Sequence, residues 1–311
     1  MTDLTNRTIV VTGGEGFLGH HLVPLLYKKY SEVSIVKHSI YNILNINDVI
    51  NMYNDFKPNV VIHLAAEVGG IHYNQANPGS LFYNNLRMGM NIIEYGRLSS
   101  IEKLVCIGTV CSYPRIPRLR FRESDLWEGY PEETNAPYGI AKRALLTMCQ
   151  AYRQQYNMNC IYLMPCNLFG EFDNFEDNSA HVIPMLIKKF LIAKENNLPE
   201  VEVWGTGNAT REFMYAGDAA KAIVNAVELY NKPEPVNIGT GEETSIVVLA
   251  GTIADIIGYK GKIVFDNSMP DGQPRRCLDI TRMLMELEFG DELVSLEDGL
   301  RRTIKWYKEN R

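Results

Sequence analysis

Apolar positions along the chain fall into short runs separated by longer stretches of helical spacing. Thr8 to Thr12, Val33 to Val36, Asn59 to Ala66, Leu104 to Ile107 and Cys160 to Met164 are apolar runs of strand length, the pattern of strands covered on both faces. Between them Leu22 to Tyr30, Asn47 to Phe56, Pro78 to Arg97 and Tyr138 to Tyr156 read as helices. This alternation has no internal repeat or low-complexity tract, and it predicts an α/β fold built on a doubly wound parallel sheet. After Gly170 the composition turns polar and loop-rich from Glu171 to Ala180. A helix opened by His181-Val182-Ile183-Pro184 and ending at Lys188-Lys189-Phe190 follows, then a strand Val201 to Trp204, a helix Asp218 to Tyr230, a strand Pro235 to Ile238, a helix Ile246 to Ile257 and a strand Ile263 to Phe265. The expected division is 1–170 with 212–240 as the sheet domain, and 171–211 with 241–311 as a smaller C-terminal α/β substrate domain.

The first strand runs straight into Gly13-Gly14-Glu15-Gly16-Phe17-Leu18-Gly19. Glycines at 13, 16 and 19 allow a tight turn, backbone approach to a pyrophosphate and close helix packing, while the helix N-terminus offers free N–H groups to phosphate. Placed between a strand and a helix, the loop predicts a Rossmann-type dinucleotide site contacted by residues 13–19. The second strand ends at Lys37-His38-Ser39, with no carboxylate for a ribose 2′-hydroxyl. A cation there suits a 2′-phosphate, so NADP (as NADPH) is favoured, with Lys37 and His38 as its contacts. The small Ala65-Ala66 pair lets the backbone lie against adenosine.

Candidate chemistry lies between Val105 and Lys142. The strand Leu104 to Ile107 stops at Gly108 and presents the Thr109 hydroxyl and the Cys111 thiol two residues apart, on one side if the chain stays extended. Pro137 opens a helix at its first position, and Tyr138 and Lys142 follow at i and i+4 on one face. A nearby ammonium favours the phenolate and brings a tyrosine pKa from roughly 10 towards neutrality, as proton donation to a developing alkoxide requires. Tyr-x-x-x-Lys also occurs on solvated helix faces, and only the dinucleotide loop lifts it above that reading.

Composition narrows the class. A net charge of −6 argues against nucleic acid, since the one basic cluster, Pro114 to Arg122, is local. Cysteines 106, 111, 149, 160, 166 and 277 show neither CxxC nor metal-ligand spacing, which reads as free thiols in a reducing cytoplasm with no metal site. The polar N-terminus and the lack of any membrane-length apolar run place no membrane in the picture.

The glycine loop, Thr109, Tyr138 and Lys142 together resemble the extended short-chain dehydrogenase/reductase superfamily and, within it, the GDP-L-fucose synthase family, which are GDP-4-keto-6-deoxy-D-mannose 3,5-epimerase/4-reductases. The stretches that carry the closer likeness are Val68-Gly69-Gly70-Ile71, Cys111-Ser112-Tyr113-Pro114, Pro137 to Lys142, Asn178 to Pro184, Val203-Trp204-Gly205-Thr206-Gly207, Arg211-Glu212-Phe213 and Pro270 to Arg275. The resemblance implies that Cys111 is a base and His181 an acid for inversion at C3 and C5, acidified by the C4 ketone. It implies hydride delivery to C4 from NADPH, with Tyr138 giving the proton, Lys142 tuning it and Thr109 holding the oxygen. It extends the cofactor contacts to Ile107, Gly108, Lys142, Pro165, Asn167, Leu168 and His181. It puts Trp204, Arg211 and Asp271 beside a GDP-sugar substrate, with Lys189 and Arg211 suited to its diphosphate. A homodimer through paired long helices is expected by analogy.

The sequence departs from the family pattern at several points. Thr109 stands where the family has Ser, Lys188-Lys189 where it has Arg, and Gly14-Glu15 and Lys37-His38 differ from the bacterial pattern. A point charge recognises a diphosphate less geometrically than a guanidinium fork. Within enzymes the rival is a C4-reductase, with or without epimerisation, of a related GDP-4-keto deoxy-hexose or heptose. A 4,6-dehydratase would need an acid where Val110-Cys111 stands, and a 4-epimerase has no use for a Cys/His pair. From another class, a non-catalytic NADP-binding regulator would not need Thr109, Tyr138 and Lys142 together.

Overall fold

The computed structural model describes residues 6–115, 120–177, 179–269, 271–290 and 293–311. Residues 116–119 of the basic stretch, Asn178 and Pro270 lie outside them. The first part of the chain alternates as β1 (Ile9–Thr12), α1 (Phe17–Lys29), β2 (Val33–Val36), α2 (Ile46–Phe56), β3 (Val60–His63), α3 (Ile71–Ala76), α4 (Pro78–Leu98), β4 (Lys103–Ile107), α5 (Ala136–Tyr156), β5 (Cys160–Pro165) and β6 (Asn167–Phe169). The rest follows as α6 (Val182–Glu195), β7 (Glu200–Trp204), β8 (Thr210–Arg211), β9 (Phe213–Tyr215), α7 (Ala216–Leu229), β10 (Val236–Ile238), β11 (Thr244–Ser245), α8 (Ile246–Ile257), β12 (Lys262–Asp266), β13 (Arg275–Arg276), α9 (Thr281–Glu286) and α10 (Leu296–Asn310).

The main sheet is parallel in the order β10-β5-β4-β3-β1-β2. Its central strands β1, β3 and β4 are buried along their whole length, which is why they read as unbroken apolar runs rather than alternating ones. From β1 the chain moves one way to β2 and the other way to β3, so the strand order reverses between β1 and β3. Such a switch point leaves a crevice at the carboxyl ends of the strands.

Two buried apolar clusters divide the chain. The first covers the main sheet, α1, α2, α4, α5 and α7, and also takes in Leu278, Met283 and Leu287. The second joins Phe169, Phe213 and Tyr215 to α6, β7, α8 and the Leu300 and Ile304 face of α10. Helix α1 begins five residues before Leu22, because the chain turns into helix directly after Gly16, its N-cap. Helix α10, amphipathic and N-capped by Ser295, is not among the elements the spacing predicted.

One interior charge ties the first layer together. Lys103 on β4 is fully buried and donates to the carbonyls of Ala226 (3.1 Å), Val227 (2.5 Å) and Tyr230 (2.7 Å) at the end of α7. Burial, with Arg153 adding to it and Glu228 opposing, lowers its pKa to about 7. Lys103→Met removes the shared donor from a helix C-terminus and is expected to cost about 2–3 kcal/mol, read as a lower urea midpoint at unchanged slope.

Candidate active site

At the switch point the glycine loop lies directly on the chain leaving β3. Gly13 has φ +71°, and a Cβ there would stand 2.6 Å from the Ala65 nitrogen. A side chain at Gly19 would meet the Gly14 carbonyl oxygen at 2.4 Å, so α1 packs down on the loop. Gly16, exposed, caps α1 without any side-chain hydrogen bond, leaving first-turn N–H groups for an anion. Glu15 is exposed, Phe17 meets His21 edge-on at 5.8 Å, and Leu18 packs against the first cluster. Lys37 and His38 stand exposed just beyond β2, and Ala65 and Ala66 are half-buried beyond β3. This cradle fits a dinucleotide. On the far side, Gly108 N–H donates to Leu163 O at 2.7 Å and Pro165 ends β5. Leu168 is half-buried, while the Asn167 side-chain nitrogen is taken by Glu212 O at 2.8 Å.

The reactive groups meet where α5 docks on the turn after β4. The chain does not stay extended there: Val110–Ser112 forms a 3₁₀ turn, and Thr109, its N-cap, accepts from Cys111 N at 3.1 Å. Threonine offers the backbone this local bond in competition with a strand, so period two does not apply. The first turn of α5 lies against this turn at Gly139, where a Cβ would stand 2.4 Å from Cys111 O. Ser112 Oγ donates to Gly139 O at 3.0 Å, and the buried Arg143 donates to Ser112 O. Pro137 is the second residue of α5.

This docking brings the Thr109 hydroxyl close enough to the Tyr138 hydroxyl to act on its pKa. The Lys142 ammonium lies 5.8 Å from the Tyr138 ring centre and donates to Ile107 O at 3.0 Å. Burial raises the Tyr138 pKa, the nearby Cys111 adds to that, and the Thr109 hydrogen bond opposes it. The expected descent towards neutrality is therefore not found in the chain alone: burial dominates, and Lys142, whose own pKa burial lowers to about 8, is not among the groups that move the phenol.

His181 is the N-cap of α6 and makes no side-chain capping bond, which removes the plain capping role. Its side chain is reached by solvent, yet enough protein surrounds it that desolvation lowers its pKa from 6.5. The loop before it is held by the glycine pair at 69–70: Gly70 N donates to Ser179 O at 3.0 Å, and a Cβ at Gly70 would meet Ala180 O at 2.6 Å.

Arg211 and Asp271 are brought together, and Asp271 lies against Gly205, next to Trp204. Asp271 accepts from the Thr206 N–H (2.7 Å) and hydroxyl (2.8 Å), and Arg211 donates to Asp271 O at 3.0 Å. A Cβ on Gly272 would touch both Arg211 and Ile71, which carries the cleft back to the 68–71 loop. Lys189 lies 5.7 Å from the Trp204 ring centre and donates to Glu202 O at 3.0 Å. Burial, reinforced by Arg276, lowers the Arg211 pKa to about 10 against the pull of Cys111, Asp271 and Glu132.

Four further residues belong to this arrangement and were not singled out from the sequence. Arg276 donates to Cys111 Sγ (3.5 Å) and to Gln273 Oε1 (3.1 Å). Gln273 in turn donates to Pro114 O and Arg115 O. The fully buried Glu212 accepts from the N–H groups of Thr240, Gly241 and Leu278, pinning strand β8 and its Arg211 to the sheet edge. Burial raises the Glu132 pKa, but hydrogen bonds from Thr134 and Asn135 and the charge of Arg276 bring it below the usual carboxylate range. Glu212 and Gln273 lie inside stretches that carried the family likeness, whereas Glu132 and Arg276 have no local signal of their own.

A glycine cradle at the switch point, with a Tyr-Lys pair at the carboxyl ends of neighbouring strands, defines a dinucleotide-dependent enzyme of the short-chain dehydrogenase/reductase class. The chain belongs to the NAD dependent epimerase/dehydratase family, whose model matches residues 9–239. It is 39% identical to a GDP-L-fucose synthase of Sinorhizobium fredii over 99% of this chain and 97% of that protein. Among solved structures it is similar to a GDP-6-OMe-4-keto-L-xylo-heptose reductase from C. jejuni, at 28% identity and TM-score 0.92 over 100% and 99% of the two chains. It is also similar to a GDP-L-fucose synthetase from Naegleria fowleri bound to NADP, at 27% identity and TM-score 0.90 over 100% and 96%.

Proposed function

We propose that the protein converts GDP-4-keto-6-deoxy-D-mannose to GDP-L-fucose, epimerising C3 and C5 and then reducing C4 with NADPH. The observation that carries this reading is the docking of α5 on the turn after β4, which gathers Tyr138, Thr109 and Cys111 around one place. When bound, NADPH supplies the hydride. Residues 13–19 receive its pyrophosphate, Lys37 and His38 its 2′-phosphate, and Ala65, Ala66, Ile107, Gly108, Pro165 and Leu168 line its path.

Cys111 takes the proton from C3 or C5, and His181, reached by solvent, returns one from the opposite face. Tyr138 protonates the C4 oxygen, Thr109 holds that oxygen, and Lys142 supplies positive charge behind the phenol. Arg211, Lys189, Trp204 and Asp271 bind the nucleotide-sugar, with residues 171–211 and 241–311 as the substrate lobe. Running the reaction with GDP-4-keto-6-deoxymannose and NADPH in deuterated water tests this: NMR should find deuterium at C3 and C5 of GDP-L-fucose, and a product without it removes the epimerase half.

The likeness to the C. jejuni reductase supports a second reading, C4 reduction of a related GDP-4-keto heptose or deoxy-hexose, which the same spectrum distinguishes. The enzyme is placed in the cytoplasm as part of this reading; separately, no helix among the described residues is long and apolar enough to cross a membrane. Exposed Phe82, Tyr83, Met90 and Leu98 on α4, with Tyr156 on α5, support a homodimer through these helices.

Lys37→Asp places a carboxylate where the 2′-phosphate charge would fall. It is expected to lower the preference for NADPH over NADH by about 10- to 100-fold, the equivalent of one charge-assisted hydrogen bond. Comparing kcat/KM for the two cofactors checks it.

A further inference from the structure

Arg276 is buried at 6% exposure, and a guanidinium stays charged wherever it is placed. A buried charge requires an anion or a full set of acceptors. Arg276 takes part in none of the ion pairs among the described residues. Its side-chain bonds run instead to the Gln273 amide oxygen and to Cys111 Sγ. Gln273, also buried, is braced on Pro114 O at 3.1 Å and Arg115 O at 3.0 Å, just downstream of Cys111. The guanidinium is thus held at the sulphur by the same segment that carries it.

We propose that Arg276 is a positioning residue acting through Cys111: it is the counter-ion that keeps this sulphur as a thiolate, the form able to remove a proton from the sugar. The proposal rests on the reading of Cys111 as the base. In the step itself, a new S–H bond forms to the proton leaving C3 or C5. The C–H electron pair passes into the ring as an enolate whose charge rests on the C4 oxygen, and Arg276 is released from its anionic partner.

The other groups facing Cys111 do not replace Arg276. Tyr138 and Arg143 come from α5, the first neutral and the second bonded to Ser112 O. Arg211 comes from β8 and lies against the Asp271 backbone. The Glu132 carboxylate shares the field of both arginines but is hydrogen-bonded by Thr134 and Asn135 and forms an ion pair with neither arginine among the described residues, and the Asp271 carboxylate accepts from Thr206.

Cys111 is the one cysteine that is not buried, so iodoacetamide labelling can be followed at that site by peptide mass spectrometry in the full chain with NADP present. Across a pH series, Arg276→Met should move the midpoint of alkylation up by at least about one unit, a tenfold slower reaction on the acid side of the midpoint. Arg276→Lys should restore most of it. Gln273→Leu, which frees the guanidinium without removing it, should give a shift of the same sign, and it carries the test if Arg276→Met does not fold.

Unmoved midpoints, or a fall equal at every pH, overturn the proposal. So does an effect confined to KM for the GDP-sugar, which would assign Arg276 to the diphosphate alone. The labelling needs no substrate, so the two ideas fail separately. A shifted profile without deuterium at C3 or C5 removes the base and keeps the pairing; deuterium without a shifted profile does the reverse.

Discussion

Replacing Tyr138 by Phe is expected to slow C4 reduction by about 10²- to 10⁴-fold, the usual contribution of a positioned proton donor. The ring stays buried, so the packing survives and only the hydroxyl, with its interaction with Thr109, is lost. NADPH affinity, measured by fluorescence titration, should therefore be largely unchanged, while the rate of NADPH oxidation in the presence of a 4-keto sugar nucleotide collapses. Burial, with Cys111 adding to it, holds the phenol protonated, which suits a donor better than a base. Lys142, brought down to about 8 by burial, is needed in its charged form to stabilise the oxygen that Tyr138 leaves behind. Reduction should accordingly fall as pH rises through about 8, where Lys142 loses its proton. A Phe variant that oxidises NADPH at the parental rate would end the assignment.

Cys111→Ser should act on the other half of the reaction. The 3₁₀ turn is held by the Thr109 hydroxyl accepting the residue-111 backbone N–H, so serine leaves the local backbone intact. A serine hydroxyl does not ionise as a thiol does, and deuterium uptake at C3 and C5 is expected to fall by about 10²- to 10⁴-fold. Reduction of a ketone that needs no inversion should continue, since Tyr138, Lys142 and the cofactor cradle are untouched. Product analysis by NMR in deuterated water separates the two effects. If the serine variant exchanges as the parent does, the base lies elsewhere in the cleft.

The parts of the fold that the sequence made legible are those whose cause is local. Apolar strands β1, β3, β4 and β5, the glycine loop and the Tyr138–Lys142 spacing each carry their own signal, because burial on both faces, a positive φ at Gly13 and helical periodicity leave marks within a few residues. The turn at Val110–Ser112 leaves no such mark, because a single hydroxyl bond decides it. Helix α10 went unread although its periodicity is strong; it is packed by contacts with the second apolar cluster, far from its neighbours in sequence.

By itself, then, the sequence settled the sheet, the glycine loop between β1 and α1 and the residue types available for proton transfer, since each follows from short-range pattern. Only the tertiary structure decided which of those groups share an environment. It set Arg276 against Cys111 across 165 positions, pinned Arg211 through the buried Glu212, and turned the anticipated fall in the Tyr138 pKa into a rise. Charge and burial are properties of the assembled cleft, and no spacing along the chain encodes how much water the folded protein excludes.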